Sequence, residues 1–299
     1  MTPRHATALE TISVIVPEDA VEMFEAALGT ACGTVGMFLD EATRLWTIEG
    51  VKDRGEDEDE LASALALASA VTGISPVLRR HETATEGWLA RTYESFPEQL
   101  VGRRFAVRGT HLTGPATPGR LALTLDAGVA FGSGEHGSTR GCLRAFETIA
   151  HRRPRRILDL GTGSGILAMA AATILHRKVL ATDIDPWSVR TTARNAALNK
   201  LGTRVRAIRS DGWSNPAIGG GYDLVFANIL ARPLCLMARQ LARRLAPGGT
   251  AILAGLLESQ AHWVLAAHRR HGLVLERSLH EGPHPGRRWT TLVLRRVRH

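Results

Sequence analysis

A short apolar run enters a glycine-rich turn at Ile157-Leu158-Asp159-Leu160-Gly161-Thr162-Gly163-Ser164-Gly165. Residues 166–172 are apolar at helical spacing, so the turn joins a strand to a helix. In an open parallel sheet, such a turn lies at the carboxyl edge of the strands, where ligands bind. Glycines have no Cβ, which lets a ligand approach the backbone closely. The stretch therefore predicts a nucleotide-type binding turn in an α/β protein.

Two classes of cofactor are compatible with a glycine turn of this kind. Nicotinamide-dependent dehydrogenases carry GxGxxG, with the helix N-terminus facing a pyrophosphate. Here the spacing from Gly161 to Gly165 is GxGxG, and Asp159 stands two residues before the first glycine. A carboxylate would repel a pyrophosphate, whereas S-adenosylmethionine carries a cationic sulfonium and an α-amino group. The residues around the turn therefore favour S-adenosylmethionine over a dinucleotide.

A second acidic residue follows the next apolar strand, which spans residues 179–182. Asp183 stands at the end of this strand, where a carboxylate can accept hydrogen bonds from both hydroxyls of a ribose. Dinucleotide and S-adenosylmethionine sites share this geometry, so Asp183 supports a nucleoside without deciding its type. Asp185 precedes Pro186 and is instead expected to cap the next helix.

Strand-like and helix-like segments alternate over the rest of the chain. This alternation predicts a mostly parallel sheet with helices on both faces, which is a Rossmann-like α/β fold. Two last strand-like segments, 274–279 and 289–294, would add an antiparallel edge. The other predicted strands are 121–125, 156–160, 179–182, 205–208, 224–227 and 250–253, and the predicted helices are 139–150, 166–175, 187–199, 234–245 and 259–271.

The first part of the chain has a different order of elements. Residues 9–81 alternate as strand, helix, strand, strand, helix and strand, which is the order of a small ferredoxin-like α+β sandwich. Turn-forming glycines and prolines then accumulate up to residue 120, as in a connector with short elements. We therefore expect a ferredoxin-like domain at 1–85, a linker at 86–120 and the α/β domain at 121–299.

Composition restricts the class of protein further. Of the 299 residues, 44% are hydrophobic and 22% are charged, as in an ordinary globular protein. No apolar run is long enough to cross a bilayer, so we expect a cytoplasmic protein without a membrane role. Cys32, Cys142 and Cys235 lack the spacing of a disulfide framework or a zinc site, so no metal is expected.

The net charge of +8 has two interpretations. Clustered cations favour nucleic acid or a ribosomal partner, because they displace counterions from phosphates. Only Lys52, Lys178 and Lys200 are lysines among the 37 basic residues, however, which indicates a bias toward arginine along the whole chain. We favour this second interpretation and infer no direct nucleic-acid substrate from the charge.

Four motifs carry a family resemblance: Ala130 to Thr139, Asp159 to Ala172, Asp183 to Pro186 and Ala227 to Ala231. With them, the chain resembles the ribosomal protein L11 methyltransferase family along nearly its full length. The resemblance implies a class I methyltransferase domain, linked to a ferredoxin-like domain that recognises the ribosomal protein. It also implies S-adenosylmethionine as the cofactor. The implied acceptors are lysine ε-amines and the N-terminal α-amine of the L11 protein, free or on the ribosome.

Residue by residue, the resemblance implies cofactor contacts at Thr139, Gly161, Asp183 and Asn228, and we add Gly163 from the same turn. Asn228 is also implied to lie near the acceptor. The sequence departs from the family at Glu135 and Gly137, where the family often has Thr and Pro.

Asn228 is the candidate catalytic residue. It follows the apolar strand 223–227, which places its amide at the carboxyl edge near the glycine turn. Its side-chain carbonyl can accept a hydrogen bond from an amine and aim the nitrogen lone pair at a methyl group. The alternative is a helix cap. Nucleic-acid and glutamine amide methyltransferases carry Asn-Pro-Pro-aromatic at this point, and Asn228-Ile229-Leu230-Ala231 lacks the prolines and the ring.

Two further features have both a functional and a structural interpretation. His136 either relays a proton from the amine or packs in its glycine-bordered loop. Asp211-Gly212-Trp213 either holds and covers an adenine or forms a turn with a packed ring.

Two other functions stay open on the sequence alone. The first is a class I methyltransferase with another protein or a small-molecule amine as its acceptor, because the N-terminal sequence is less diagnostic than the glycine turn. The second is a noncatalytic, ribosome-associated binding module that retains a nucleoside pocket. Binding of S-adenosylmethionine distinguishes the enzymes from such a module.

Overall fold

The computed structural model describes residues 9–32, 34–40, 43–83, 97–125, 137–282 and 288–297. The chain forms two compact units, Met1–Thr92 and Tyr93–His299. Each unit has a hydrophobic core of its own.

The first unit contains a four-stranded antiparallel sheet in the order β2-β3-β1-β4. This is the order that the strand-helix-strand-strand-helix-strand pattern predicts for a ferredoxin-like sandwich. Ile12, Val14 and Ile48 of the sheet are fully buried with Phe24 of the first helix. The elements are β1 (Leu9–Val16), a 3-10 turn (Glu18–Ala20), α1 (Val21–Gly29), β2 (Thr34–Asp40), β3 (Leu45–Asp53), α2 (Glu58–Thr72) and β4 (Arg79–Thr83).

A charged cluster lies at one end of this first core. Lys52 Nζ is 2.6 Å from Glu58 Oε1 and 3.6 Å from Glu10 Oε1. Arg80 donates two parallel hydrogen bonds to the Glu58 carboxylate, at 3.0 and 2.7 Å. Lys52 and Glu10 are almost inaccessible to solvent, so the cluster places both signs of charge inside the unit.

The second unit is built on a seven-stranded sheet in the order β10-β9-β8-β11-β12-β14-β13. The first five strands in this order are parallel. Strand β14 runs antiparallel to them, and β13 pairs antiparallel with β14, so β13 has the direction of the first five. The strands are β8 (Ile157–Leu160), β9 (Val179–Asp183), β10 (Val205–Arg209), β11 (Tyr222–Asn228), β12 (Leu245–Leu257), β13 (Leu273–Glu281) and β14 (Trp289–Arg296). The α/β fold with an antiparallel edge is therefore confirmed.

Among the described residues, five helices cover the two faces of this sheet. Ile157 and Leu224 belong to one buried layer, whereas their neighbours Leu158 and Val225 belong to the other. Strands that are buried on both faces explain the continuous apolar runs in the sequence. The helices are α3 (Gly137–Ile149), α4 (Ile166–Leu175), α5 (Pro186–Leu198), α6 (Ala231–Arg244) and α7 (Glu258–Arg269), and a 3-10 turn (Ala150–Arg152) follows α3.

A second, three-stranded sheet lies in the same unit and was only partly predicted. Strand β7 (Leu121–Leu125) has the predicted bounds, and it pairs in parallel with β6 (Phe105–Gly109). Strands β6 and β5 (Gln99–Val101) fall in the segment that we assigned to a linker with short elements. Phe105 and Val107 are fully buried in the core of the second unit.

Candidate active site

Hydrogen bonds tie the glycine turn to the end of the neighbouring strand. The N–H groups of Gly161 and Thr162 both donate to the carbonyl oxygen of Thr182, at 2.8 and 3.0 Å. Gly161, Gly163 and Gly165 all have positive φ, between 54° and 83°. Glycine adopts this conformation at the least cost, which explains why three of the five residues of the turn are glycines.

The chain after β11 is packed between two other glycines. A methyl group on Gly161 would overlap the Cγ2 atom of Ile229. A methyl group on Gly255 would overlap the backbone of the same residue, and Gly255 also has a positive φ of 81°. The absence of side chains at these two positions therefore fixes the path of the chain immediately after Asn228.

Asp159 is fully buried beneath the turn. Its Oδ2 accepts a hydrogen bond from Thr162 Oγ1 at 2.7 Å and one from the N–H of Ala168 at 3.1 Å. Its Oδ1 has no partner among the described residues. Burial raises the pKa of this carboxyl to about 7, although both hydrogen bonds lower it. Because Asp159 is buried, it does not contact a ligand directly. It affects a ligand through the electrostatic field and through the turn that it holds in place.

Asp183 links the turn to the start of α5. Its Oδ2 accepts from the N–H of Gly163 at 2.9 Å, and its Oδ1 accepts from the N–H of Asp185 at 3.1 Å. A carboxylate has about four lone-pair sites, so each oxygen can accept a further hydrogen bond from a ligand. Asp185 caps α5 by accepting from the N–H groups of Trp187 and Ser188, as predicted.

Asn228 and Thr139 lie in contact at the end of β11. Asn228 Nδ2 donates to Thr139 Oγ1 at 3.3 Å, and Thr139 in α3 is fully buried. The Asn228 Oδ1 atom is buried and has no partner among the described residues. An unsatisfied buried carbonyl costs free energy, so it marks a place where a donor from outside the described structure fits.

The remaining predicted residues have different outcomes. Glu135 and His136 lie outside the described residues. Trp213 is buried in the core, and the Arg244 guanidinium is 5.1 Å from the centre of its ring, so the packed-ring interpretation holds. The sequence pattern did not single out the side chain of Ile184, which follows Asp183 and is 58% exposed at this edge of the sheet. Its only signal is an apolar residue directly after the acidic end of a strand.

No group of three or more metal-ligating side chains occurs in the described parts of the chain. Likewise, none of the helices in those parts is long and apolar enough to span a membrane. The arrangement offers hydrogen-bond acceptors beside a glycine-rich turn. Such an arrangement can hold and orient a ligand that donates hydrogen bonds.

The strand order, with one antiparallel strand inserted beside a parallel set, and the glycine turn at its carboxyl edge define the class I methyltransferases. Sequence comparison gives the particular family. The profile of the ribosomal protein L11 methyltransferase family matches residues 11–296. The chain therefore belongs to this family and is a methyltransferase.

Individual relatives agree with this assignment. A ribosomal protein L11 methyltransferase of Bradyrhizobium diazoefficiens is 45% identical over 237 residues, which cover 78% of each chain. One of Rhizobium meliloti is 38% identical over 294 residues, which cover 97% of this chain and 95% of the relative. The crystal structure of a ribosomal protein L11 methylase from Lactobacillus delbrueckii superposes with a TM-score of 0.59 at 30% identity, over 66% of this chain and 96% of that one.

Proposed function

We propose that the protein transfers methyl groups from S-adenosylmethionine to lysine ε-amines and to the N-terminal α-amine of ribosomal protein L11. The observation that carries the proposal is the buried Oδ1 atom of Asn228 at the carboxyl edge of the sheet, for which the described residues offer no hydrogen-bond partner. The names of the relatives support the choice of acceptor. Since the acceptor is a ribosomal protein, we also propose that the reaction takes place in the cytoplasm.

The residues at the glycine turn fit S-adenosylmethionine. The free lone pairs of Asp183 suit the two hydroxyls of a ribose, and the exposed side chain of Ile184 suits the flat face of an adenine. Gly161 and Gly163 have no side chains, so the rest of the S-adenosylmethionine molecule can lie close to their backbone. When bound, S-adenosylmethionine supplies an electrophilic methyl group on a cationic sulfur.

Asn228 holds the acceptor in this proposal. An amine of lysine has a reference pKa of about 10.4, so it must lose a proton before its lone pair can react. The Asn228 carbonyl oxygen accepts one N–H of the neutral amine, while Thr139 fixes the other end of the same amide. The amide thereby orients the amine without taking part in bond formation. An in-line methyl transfer requires this positioning and the exclusion of water.

The first experiment incubates the protein with radiolabelled S-adenosylmethionine and purified L11. We expect label in L11, and we expect Asn228→Ala to lower kcat by roughly 100- to 1,000-fold, as the loss of a positioned polar group does. Gln240→Ala removes an exposed amide from α6 and serves as the matched control. Absence of label in L11, or equal rates for Asn228→Ala and the wild type, would contradict the proposal.

A second experiment tests the acceptor with the full chain. L-lysine replaces L11 in the same assay, and kcat/KM is compared for the two. We expect a far higher value for L11, because a protein acceptor makes contacts that a free amino acid cannot make. A value for L-lysine equal to that for L11 would instead favour a small-molecule amine as the substrate.

We also propose that residues 1–85 recognise the acceptor, that 86–120 act as the linker and that 121–299 bind the cofactor. Deleting residues 1–85 leaves Thr139, Gly161, Asp183 and Asn228 in the chain. Such a deletion should abolish methylation of L11 while calorimetry still detects S-adenosylmethionine. Methylation of L11 at the wild-type rate after the deletion would show that the first region has another role.

A further inference from the structure

Arginines accumulate where the strands of the large sheet begin. Residues 152–156 precede β8, residues 177–178 precede β9, and residues 243–244 precede β12. Residues 269–271 precede β13, and residues 295–296 end β14. Each of these five ranges contains at least two arginines or lysines and no acidic residue. We call these five ranges the basic edge.

The topology of the sheet brings the five ranges together. Strands β8, β9 and β12 belong to one parallel set, so their amino ends meet at the same edge. Strand β14 runs in the opposite direction, and its last residues pair there, with Arg295 opposite Thr250. Strand β13 starts at the same edge, with Leu273 opposite Arg296. The basic edge therefore lies at the end of the sheet opposite to the glycine turn.

Many of these cations are free to meet a partner. Arg153, Arg155, Arg177 and Arg243 are exposed, and no ion pair is recorded for them among the described residues. Arg153 follows the 3-10 turn Ala150–Arg152 and has a positive φ of 51°. This conformation directs the chain out of the 3-10 turn at Arg153.

Two carboxylates near these arginines already have partners. Asp223 accepts hydrogen bonds from the backbone N–H groups of Arg155 and Arg156, at 2.8 and 2.9 Å. Glu276 binds Arg152 at 2.8 Å and Arg295 at 3.2 Å. Both acids therefore hold the edge in shape and leave the side chains of Arg153 and Arg155 uncompensated.

A cavity of about 350 Å³ opens at the basic edge. Arg152, Arg153, Arg155 and Arg295 line it, together with Gly248 and with Asp223, whose carboxylate accepts from backbone N–H groups. The planar guanidinium of arginine donates two parallel hydrogen bonds to a phosphate, which lysine cannot do. The four arginines thus give the cavity hydrogen-bond donors for a phosphate, and Arg153 and Arg155 are the two that Glu276 does not bind.

We infer that the basic edge binds the phosphate backbone of a nucleic acid. Neighbouring strands are about 4.8 Å apart, so the edge of seven strands extends over roughly 30 Å. A single phosphate or nucleotide would contact one part of it, whereas a polynucleotide presents a negative charge to every range. The opposite edge instead carries the carboxylates Asp183 and Asp185 at the end of β9. The inference does not rest on the proposed methyl transfer.

The experiment measures binding of a fluorescein-labelled oligouridine to the full chain by fluorescence anisotropy, over a series of salt concentrations. The first variant is Arg153→Gln/Arg155→Gln, and a second edge variant is Arg243→Gln/Arg270→Gln. The matched control is Arg54→Gln/Arg79→Gln, which removes the same charge from exposed arginines of the first unit. Thermal unfolding is measured for every variant and methylation of L11 for the two edge variants, and both should equal the wild type.

We expect each edge variant to bind roughly tenfold more weakly at low salt. The slope of log Kd against log salt should flatten by about 1.4, since each lost phosphate contact contributes about 0.7 for a single strand. The control should bind like the wild type.

Equal losses in the control and the edge variants would show that binding follows net charge alone, and the inference would be wrong. It would also be wrong if the wild type failed to bind the oligouridine. Binding only to phosphatidylglycerol vesicles or to polyglutamate would assign the edge to a lipid surface or to an acidic protein instead.

Discussion

Glu58 in the first unit and Asp159 in the second are both carboxyls that accept two or more hydrogen bonds, yet their pKa values move in opposite directions. Hydrogen bonds from Arg80, and then from Lys52, lower the pKa of Glu58 to about 2. Burial raises the pKa of Asp159 to about 7, because its donors, Thr162 and Ala168, are neutral. Cations balance the charge of Glu58, whereas the hydrogen-bond donors of Asp159 carry no charge.

This difference separates a structural site from a functional one. A buried acid without a cation lowers the stability of the fold, and such groups concentrate where a ligand or a reaction needs them. The cluster around Lys52 contains its own counter-ions and needs no ligand to balance it. Asp159 lies directly below the glycine turn, where a cationic ligand would supply the missing charge.

The largest effect is expected from Lys52→Met in the charged cluster. It leaves Glu10, which is 6% exposed, with only the more exposed Arg80 as a cation. We expect a loss of about 3 kcal/mol in the free energy of unfolding of the first unit, because breaking a buried ion pair strands a charge. Hydrogen exchange of peptides from residues 9–83 in denaturant measures it.

Arg54→Met is the control for this change. Arg54 pairs with Glu82, and both side chains are mostly exposed, so the loss should stay below about 0.5 kcal/mol. Similar losses for the two variants would mean that the buried cluster is no stronger than a surface pair.

Gly161→Ala is expected to have the next largest effect. The φ of 72° disfavours any side chain, and the added methyl overlaps Ile229. We expect a loss of about 2 to 3 kcal/mol in the second unit, together with slower methylation because the chain beside Asn228 must shift. Chemical denaturation and the L11 assay measure the two effects.

Gly221→Ala isolates the backbone part of this loss. Gly221 has a similar φ of 75° but no atom within 4 Å of its added Cβ, so about 1 kcal/mol is expected. If Gly161→Ala cost no more than Gly221→Ala, the contact with Ile229 would carry no weight.

Asp159→Asn should change how stability depends on pH. Because the pKa of Asp159 is raised in the folded state, its favourable contribution is complete below pH 3.8 and is lost as the pH rises through about 7. The wild type should therefore lose roughly 2 kcal/mol more than the variant between pH 5 and pH 7. Denaturation of the second unit at both pH values tests this. If the wild type and the variant lost the same stability between the two pH values, the raised pKa of Asp159 would be contradicted.

The smallest effect on stability is expected from Arg80→Gln. The pKa of Glu58 is lowered, so its contribution is present above pH 4.5 and is lost as the pH falls through about 2. Without Arg80, the pKa of Glu58 should rise by at least one unit, which carboxyl-carbon NMR titration detects. Arg79→Gln, one residue earlier, should leave it in place. Since Glu58 is partly exposed, the stability near neutral pH should change little.

Periodicity predicted the large sheet because its strands are buried on both faces and read as apolar runs. It missed β6, whose sequence Phe105-Ala106-Val107-Arg108-Gly109 contains a charged residue. Arg108 is nonetheless buried, because its guanidinium donates to the carbonyl oxygens of Leu112 and Gly114. No local pattern in the sequence shows that loop carbonyls will satisfy an arginine inside a strand.

The meeting of Asp183, Asn228 and the glycine turn at one edge followed from the parallel sheet, and their roles stay predictions. The contact between Thr139 and Asn228 depends on how α3 packs, so only the family resemblance suggested a shared site. The burial of Asp159 was not predictable. In a strand covered on both faces, the sequence does not show whether a polar side chain reaches a ligand or its own turn.

Ile229 is confined by Gly161 on its side chain and by Gly255 on its backbone. Three positions far apart in the sequence are therefore coupled, and the effect of changing one depends on the residues at the other two. A smaller residue at 229 would remove the overlap with a Cβ at 161, whereas the strain of the positive φ at 161 would remain. The side chain at 229 therefore limits which residues position 161 can accept. This mutual constraint also keeps the neighbouring Asn228 in its position.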